Sequence, residues 1–172
     1  MACVVVALAA SGCGTPPPSE DLPLTRIAST TVDGVIYTIN GARELDPSDP
    51  GERVYLEGRT PPSDSPLLGV FLVVCNATGG AVNTVEDLQL IGPSGPVGSR
   101  VSLKGNRVAY EARELSEGEC APAGQTLPAR VGPGLLALFE VPEGVLGERP
   151  LRLAIESARG EEGTLPVKLE KR

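Results

Sequence analysis

Carboxylates are the only plentiful side chains in this chain that could carry acid–base chemistry. The 172 residues include 22 Asp and Glu but no His and no Trp. Without histidine the chain cannot build a Ser–His–Asp triad, a Cys–His nucleophile or an imidazole-ligated zinc site. It also lacks the side chain whose charge most often changes near neutral pH. Any catalysis would therefore depend on Asp and Glu.

The spacing of these carboxylates does not mark a catalytic pair. The Glu residues are scattered over segments predicted to be exposed, and no two are set apart as an acid and a base. The patterns Ser-x-x-Lys, Gly-x-Ser-x-Gly and the phosphate loop are missing from the sequence. We therefore expect no enzyme, no catalytic residue and no cofactor. A carboxylate-dependent hydrolase is the less favoured alternative.

One acidic segment, residues 46–52, has a composition that could bind a cation. It contains Asp46, Asp49 and Glu52, and calcium prefers oxygen ligands of this kind. Two prolines interrupt the segment, and the carboxylates do not have the spacing of a calcium-binding loop. A solvated turn is the favoured interpretation, with a calcium site as the alternative.

The charge of the chain argues against one class of partner. The net charge is −7, and the basic residues form no cluster. A phosphate backbone would be repelled, so we expect no binding to nucleic acid.

The amino terminus is typical of a secreted, lipid-anchored protein. Residues 1–12 contain an apolar run too short to span a bilayer, as in a secretory signal. The small residues before Cys13 resemble a bacterial lipobox, in which this Cys receives lipid and becomes N-terminal, although Ala10 stands where Leu is usual. The polar, Pro-rich residues that follow would form an extended tether. A plain cleaved signal with an unmodified Cys is the alternative.

These features predict three parts of the chain and one location. Residues 1–12 would be a lipoprotein signal peptide, 13–23 a lipidated tether and 24–172 a folded domain. Several acyl chains on Cys13 would hold the domain stably at the extracytoplasmic face of a membrane.

The composition indicates a domain built from short strands. The chain contains 21 Gly and 17 Pro, which oppose long helices and favour many turns. Only 3% of its residues are aromatic, so the core must be aliphatic. A β-sandwich fits this composition.

One apolar stretch, Leu67–Asn76, is predicted to be the central strand. It is rich in valine and leucine, and an Asn and a Gly pair follow it closely, as expected for a strand buried on both faces. A second apolar strand is predicted near residue 138, facing the first inside the sandwich. This second strand is predicted at residues 133–142, and the remaining strands at residues 24–27, 34–40, 85–91, 101–103, 108–110, 151–156 and 165–169. Arg53–Leu56 is expected to pair briefly as a strand, and Gly105-Asn106 to form a hairpin turn.

Five motifs follow one another along the chain: Val70–Asn76, Asp87–Leu90, Val131–Gly134, Leu138–Gly144 and Leu151–Ile155. Their order resembles that of the bacterial telokin-like domains of unknown function, which occur in secreted proteins and lipoproteins. The resemblance covers roughly residues 27–169. It implies an all-β, immunoglobulin-like sandwich of about seven to nine short antiparallel strands. No catalytic residues are assigned to that family, so none is carried over.

The central strand leaves one apolar face that must be covered. Leu68 and Val70 belong to one face, and Phe71, Val73 and Cys75 belong to the other. A sandwich strand needs only one buried face, so we expect residues 111–130 to cover the second one. A disulfide between Cys75 and Cys120 would hold them there, because two spare cysteines outside the cytoplasm usually pair. Two unpaired thiols are the alternative.

The function that these observations favour is a non-enzymatic binding or scaffolding module. It would be anchored through Cys13 and would contact an unidentified protein through loops or an edge strand. A ligand-binding accessory subunit of a transporter is the alternative.

Overall fold

The computed structural model describes residues 28–56, 65–124 and 134–170. Within these ranges the chain is almost entirely β, with one short α-helix, α1, and a 3-10 turn at Val145–Gly147. Helix α1 spans Arg53–Leu56. The strands are β1 Ser29–Val32, β2 Val35–Leu45, β3 Leu67–Asn76, β4 Val82–Asn83, β5 Leu88–Gly92, β6 Gly95–Pro96, β7 Ser99–Val101, β8 Glu114–Leu115, β9 Cys120–Ala121, β10 Leu135–Glu140, β11 Leu151–Glu156 and β12 Glu162–Val167.

The strands form two principal antiparallel sheets. The six-stranded sheet has the order β1-β2-β3-β10-β7, and β9 pairs with β3 as well. The four-stranded sheet has the order β12-β11-β5-β6, while β4 and β8 form a small separate pair. Among the described residues eight strands have three residues or more, in agreement with the expected seven to nine. The predicted antiparallel β-sandwich is confirmed.

Strand β3 is the centre of the larger sheet, as predicted. Its bounds match the predicted stretch, and all ten of its residues are buried. It pairs with β2 along one edge, and with β10 and then β9 along the other. Burial of this strand on both faces explains why its sequence is a continuous apolar run and not an alternating one.

The second apolar strand, β10, lies beside β3 and does not face it across the core. The two strands are hydrogen-bonded neighbours, with Ala137 opposite Val70. The expectation that they face each other was therefore wrong in its geometry. Strand β10 begins after Gly134, whose φ is +93°. A Cβ at Gly134 would lie 2.5 Å from the carbonyl oxygen of Leu72, so this close approach of two backbones requires glycine.

The main core fills the space between the two sheets. Val70 and Leu72 of β3 pack there with Leu88 and Leu90 of β5 and with the inward residues of β11 and β12. The burial of β5, β11 and β12 alternates residue by residue, so each has one face in the core and one face in solvent. Leu88, Leu90, Leu153 and Ile155 point inward.

A second apolar cluster covers the outer face of the six-stranded sheet. Phe71 packs there with Leu56 and Leu103, and Tyr55 lies edge-on to Phe71 with ring centroids 5.4 Å apart. The cover is therefore helix α1 and the segment after β7. Residues 111–124 do not provide it, since Leu115 and Ala121 belong to the main core. The predicted cover was wrong here, and residues 125–133 lie outside the described ranges.

Two local predictions near this cluster were also wrong. Arg53–Leu56 is a helical turn, because Leu56 has to reach the outer face while Arg53 and Val54 stay exposed. The Gly105-Asn106 hairpin is not formed. Asn106 instead directs its side-chain amide to the carbonyls of Val54 and Tyr55, at 3.2 and 3.3 Å. The segment after β7 is thus tied to α1.

Candidate functional site

A cleft of about 540 Å³ lies where strand ends and turns of both sheets meet. We call it the end cleft. Three parts of the chain contribute most of its wall: the turn between β1 and β2, the segment 81–87, and the turn after β11. Arg113 and Ala112 complete it. Openings of this kind at strand ends are a common place for binding sites on sandwich domains.

The floor of the end cleft is fixed by two buried tyrosines. The Val85 N–H donates to the Tyr37 hydroxyl oxygen at 2.7 Å, and the Tyr110 hydroxyl donates to the Val85 carbonyl at 2.5 Å. Tyr37 is 0% exposed and Tyr110 is 2% exposed. Both polar groups of Val85 are therefore satisfied from below, which holds the segment between β4 and β5 in place.

These phenols act as hydrogen-bonding groups and stay protonated. Burial away from water raises the pKa of Tyr37 far above its ordinary value, and the neighbouring Tyr110 raises it further. Burial also raises the pKa of Tyr110. A phenol whose pKa is raised in this way keeps its proton at neutral pH. The pair thus positions backbone and is not set up to exchange protons.

In one wall of the end cleft, the β4–β8 pairing extends by one further pair of residues, Thr84 and Arg113. The Thr84 N–H donates to the Arg113 carbonyl at 2.8 Å, and the Arg113 N–H donates to the Thr84 hydroxyl at 2.9 Å. Beyond this pair Val85 and Ala112 no longer pair with each other. The split between these two backbones opens the cleft.

The opposite wall is formed by two turns that are bound to each other. Asp33 and Gly34 both have positive φ, as a two-residue turn between β1 and β2 requires. The Asp33 N–H donates to the Glu161 carboxylate at 2.8 Å. In the turn after β11, the Ser157 hydroxyl accepts the N–H groups of Arg159 and Glu161. The hydroxyl oxygen of Ser157 is thus occupied by the turn that contains it.

The charges lining the end cleft are mixed, with an excess of carboxylates. The acidic residues are Asp33, Glu86, Asp87 and Glu156, and the basic residues are Arg113 and Arg159. No group of three or more His, Cys, Asp or Glu in the described ranges could hold a metal ion. Such a surface can bind a polar ligand through ion pairs and hydrogen bonds.

The predicted cysteine pair is joined in the structure. Cys75 on β3 lies opposite Cys120 on β9, with an S–S distance of 2.05 Å. Cys75 is buried and Cys120 is partly exposed. The Cys75–Cys120 disulfide is therefore confirmed, although the strand that it attaches, β9, pairs with β3 within the six-stranded sheet and does not cover the outer face.

The residue after Cys75 fixes the same region through its side chain. The Asn76 amide nitrogen donates to the carbonyls of Gly80, Leu115 and Ser116 at 2.7, 3.1 and 2.9 Å. Its amide oxygen accepts the N–H and the hydroxyl of Thr78, both at 2.7 Å. Asn76 begins an Asn-x-Thr pattern, but the residue is only 4% exposed and its amide is fully engaged in hydrogen bonds. Its role is to fasten the strand that carries Leu115 to the end of β3.

The acidic loop of residues 46–52 directs its carboxylates toward its own backbone. Asp46 accepts the Ser48 N–H at 2.8 Å, and Asp49 accepts the Gly51 N–H at 2.8 Å. Glu52 pairs with Arg43 at 3.2 Å. These carboxylates organise a turn before α1, which agrees with the solvated-turn interpretation.

The predicted lipidation site, Cys13, lies outside the described residues, as do the predicted signal peptide and tether. In the part of the chain that the structure covers, no helix has the length and hydrophobicity needed to cross a bilayer. The structure therefore brings Cys75 and Cys120 together and leaves Cys13 as a prediction.

Sequence reasoning did not find the end cleft. Its residues come from separate segments that only the fold brings together, and no motif in the sequence marks them as a binding site. The segment that carries Glu86 and Asp87 was predicted as the beginning of a strand at residues 85–91, and nothing in it signalled a cleft. Comparisons with family models, curated proteins and solved structures found no match to the chain.

Proposed function

We propose that this protein is a lipid-anchored, extracytoplasmic binding module of the immunoglobulin-like class, which binds a partner protein at the end cleft. The observation that carries the proposal is the construction of the cleft. Its floor is fixed by Tyr37 and Tyr110 before any ligand arrives. A preformed site loses less conformational entropy when it binds, which favours a binding role for this end of the sandwich.

The disulfide supports the proposed location. Cysteine pairs persist in oxidising compartments and are rare where glutathione keeps thiols reduced. The Cys75–Cys120 bond therefore agrees with export, which is what the signal-like residues 1–12 predict. Attachment through Cys13 would keep the module at a membrane surface while its tether lets the end cleft reach a partner.

The family assignment remains part of this proposal. The two apolar motifs that carry the resemblance to telokin-like domains correspond to β3 and β10, which are neighbours in one sheet. The proposed kinship rests on these sequence motifs and does not depend on any shared activity.

Metabolic labelling with palmitate tests the anchor. The wild-type protein and the Cys3→Ser variant should both incorporate label and sediment with membranes, whereas Cys13→Ser should do neither. Cys3→Ser is a matched control because it removes another cysteine from the same amino-terminal segment. Equal labelling of wild type and Cys13→Ser would refute the anchor.

Cross-linking on intact cells tests the binding role. Proteins cross-linked to the wild-type chain should be identified, purified and shown to bind it in solution. A Glu86→Lys/Asp87→Lys variant should bind those proteins less tightly, because both carboxylates line the end cleft. Unchanged affinity would refute the end cleft as the binding site. If the chain instead hydrolysed a purified partner and released a small product into solution, the hydrolase alternative would be supported.

A further inference from the structure

The end cleft continues into a second cavity along the same side of the molecule. This second cavity has a volume of about 470 Å³ and lies beside β7. Glu86 and Ala112 line both cavities, so the two openings share a boundary. We call the combined depression the long groove. It extends from the turns at Asp33 and Ser157, past Ala112, to Lys104.

The middle of the long groove exposes backbone that no neighbouring strand uses. The β4–β8 pair ends at Thr84 and Arg113, and the two chains then separate around the groove. Within the described ranges, the N–H and C=O of Ala112 have no hydrogen-bond partner. Ala112 is exposed, so its backbone can pair with an incoming chain in the way that a sheet edge does.

The two cations that line the second cavity differ in their surroundings: Lys104 is exposed at the far end, whereas Arg100 is held by backbone carbonyls. The Arg100 guanidinium donates to the carbonyls of Glu86 and Tyr110, the latter at 2.7 Å, and lies 5.3 Å from the centre of the Tyr110 ring. Its role is to hold Glu86 and Tyr110 in position between the two cavities. The groove is therefore braced from this side by Arg100 and from below by Tyr37.

The charge of the end cleft, at the other end of the long groove, determines which side chains of a partner it can bind. Glu86, Asp87 and Glu156 are exposed and have no ion-pair partner among the described residues. Two cations, Arg113 and Arg159, face four carboxylates in the end cleft. A lysine or arginine side chain would therefore gain more there than an acidic one.

We infer that the long groove binds an extended segment of a partner protein that places a lysine or arginine side chain in the end cleft. Main-chain groups of the segment pair with Ala112 near the centre of the groove. This inference rests on the proposed binding function and adds to it the shape and the charge of the partner. A folded partner could present such a segment at a terminus or in a long loop.

The probe for this inference is a fluorescent peptide of alternating threonine and lysine, with a threonine–glutamate peptide as the comparison. Both favour an extended chain, and only the first is cationic. Fluorescence anisotropy with the full chain should show the lysine peptide binding at least about tenfold more tightly than the glutamate peptide. Equal affinity for the two peptides, or binding of neither, would overturn the inference.

Charge-reversal variants distinguish binding in the long groove from a general attraction of the peptide to the negatively charged protein. Glu86→Lys/Asp87→Lys should lower the affinity for the lysine peptide by about tenfold. Glu143→Lys/Glu148→Lys makes the same charge change at exposed residues in the connection between β10 and β11, at the opposite end of the sandwich, and should change affinity less than about twofold. Equal losses in the two variants would show a general charge effect and overturn the inference.

Amide chemical shifts of the labelled protein provide a second readout that does not depend on variants. The lysine peptide should shift the signals of Ala112 and of segment 84–87, and should leave the outer face of the four-stranded sheet, at Arg152 and Thr164, unchanged. Shifts confined to Arg152 and Thr164 would place the peptide elsewhere and refute the groove. Loss of lipid from Cys13→Ser tests the anchor separately and does not affect this result.

Discussion

Removing the Cys75–Cys120 disulfide should destabilise the protein by several kcal/mol. The two cysteines are 45 residues apart, and opening a loop of that length releases chain entropy worth about 4 kcal/mol in the unfolded state. The bond joins the end of β3, in the centre of the larger sheet, to the two-residue strand β9. We therefore expect Cys75→Ala/Cys120→Ala to lower the free energy of unfolding by an amount approaching that value.

Urea unfolding of three samples separates the cross-link from the packing of the sulfur atoms. These are the oxidised wild type, the wild type with its thiols kept reduced, and the double alanine variant. The reduced wild type retains both side chains, so its loss of stability reports the cross-link alone. We expect it to lose most of what the variant loses, with little change in the folded spectrum. A loss below about 1 kcal/mol in reduced protein would refute the loop-entropy reasoning.

The further predictions concern Tyr37, Asn76 and Gly134. Tyr37→Phe should cost about 1–3 kcal/mol, since it leaves a buried N–H without its acceptor. Because the folded state raises the pKa of Tyr37, the free energy of unfolding of the wild type should fall as pH rises above about 10. Denaturant titrations at several pH values should show a shallower fall for Tyr37→Phe. Asn76→Asp should lower the free energy of unfolding in urea at pH 7 by at least about 3 kcal/mol, because a carboxylate oxygen would face three backbone carbonyls. A decrease of less than about 1 kcal/mol would contradict this. Gly134→Ala should lower stability by about 2 kcal/mol more than Gly144→Ala in thermal unfolding, because only the first places a Cβ against the Leu72 backbone. Equal losses in the two variants would contradict this, since both glycines have a positive φ and the close contact would then add nothing to the cost.

The strands that the sequence predicted well are those whose pattern reports burial directly. The bounds of Leu67–Asn76 agree with the prediction because both faces of β3 are covered and turn-forming residues follow it. Leu151–Glu156 was recognisable from its strict alternation, which reflects one buried face and one exposed face. In both cases local composition and tertiary burial agree.

The failures occurred where distant contacts decide the local structure. Arg53–Leu56 became helical to deliver Leu56 and Tyr55 to the outer face, and nothing within those four residues signals that requirement. Asn106 sits in a Gly-Asn pair that is compatible with a hairpin, yet its amide is used to bind α1. The end cleft escaped prediction for a related reason, since Asp33, Asp87 and Glu156 approach each other only once the sheets have assembled.

The covalent bond at the end of β3 turns the intervening chain into a closed ring that contains β4 to β8. A protease that cuts one peptide bond inside this ring produces no free fragment, because each piece stays attached through sulfur. The ring includes segment 84–87 and Ala112, so both sides of the long groove would remain part of a single molecule after such a cut. A separation that leaves the cystine intact would show no smaller fragment after such a cut, and the mass of the molecule would rise only by that of the water added at the broken bond.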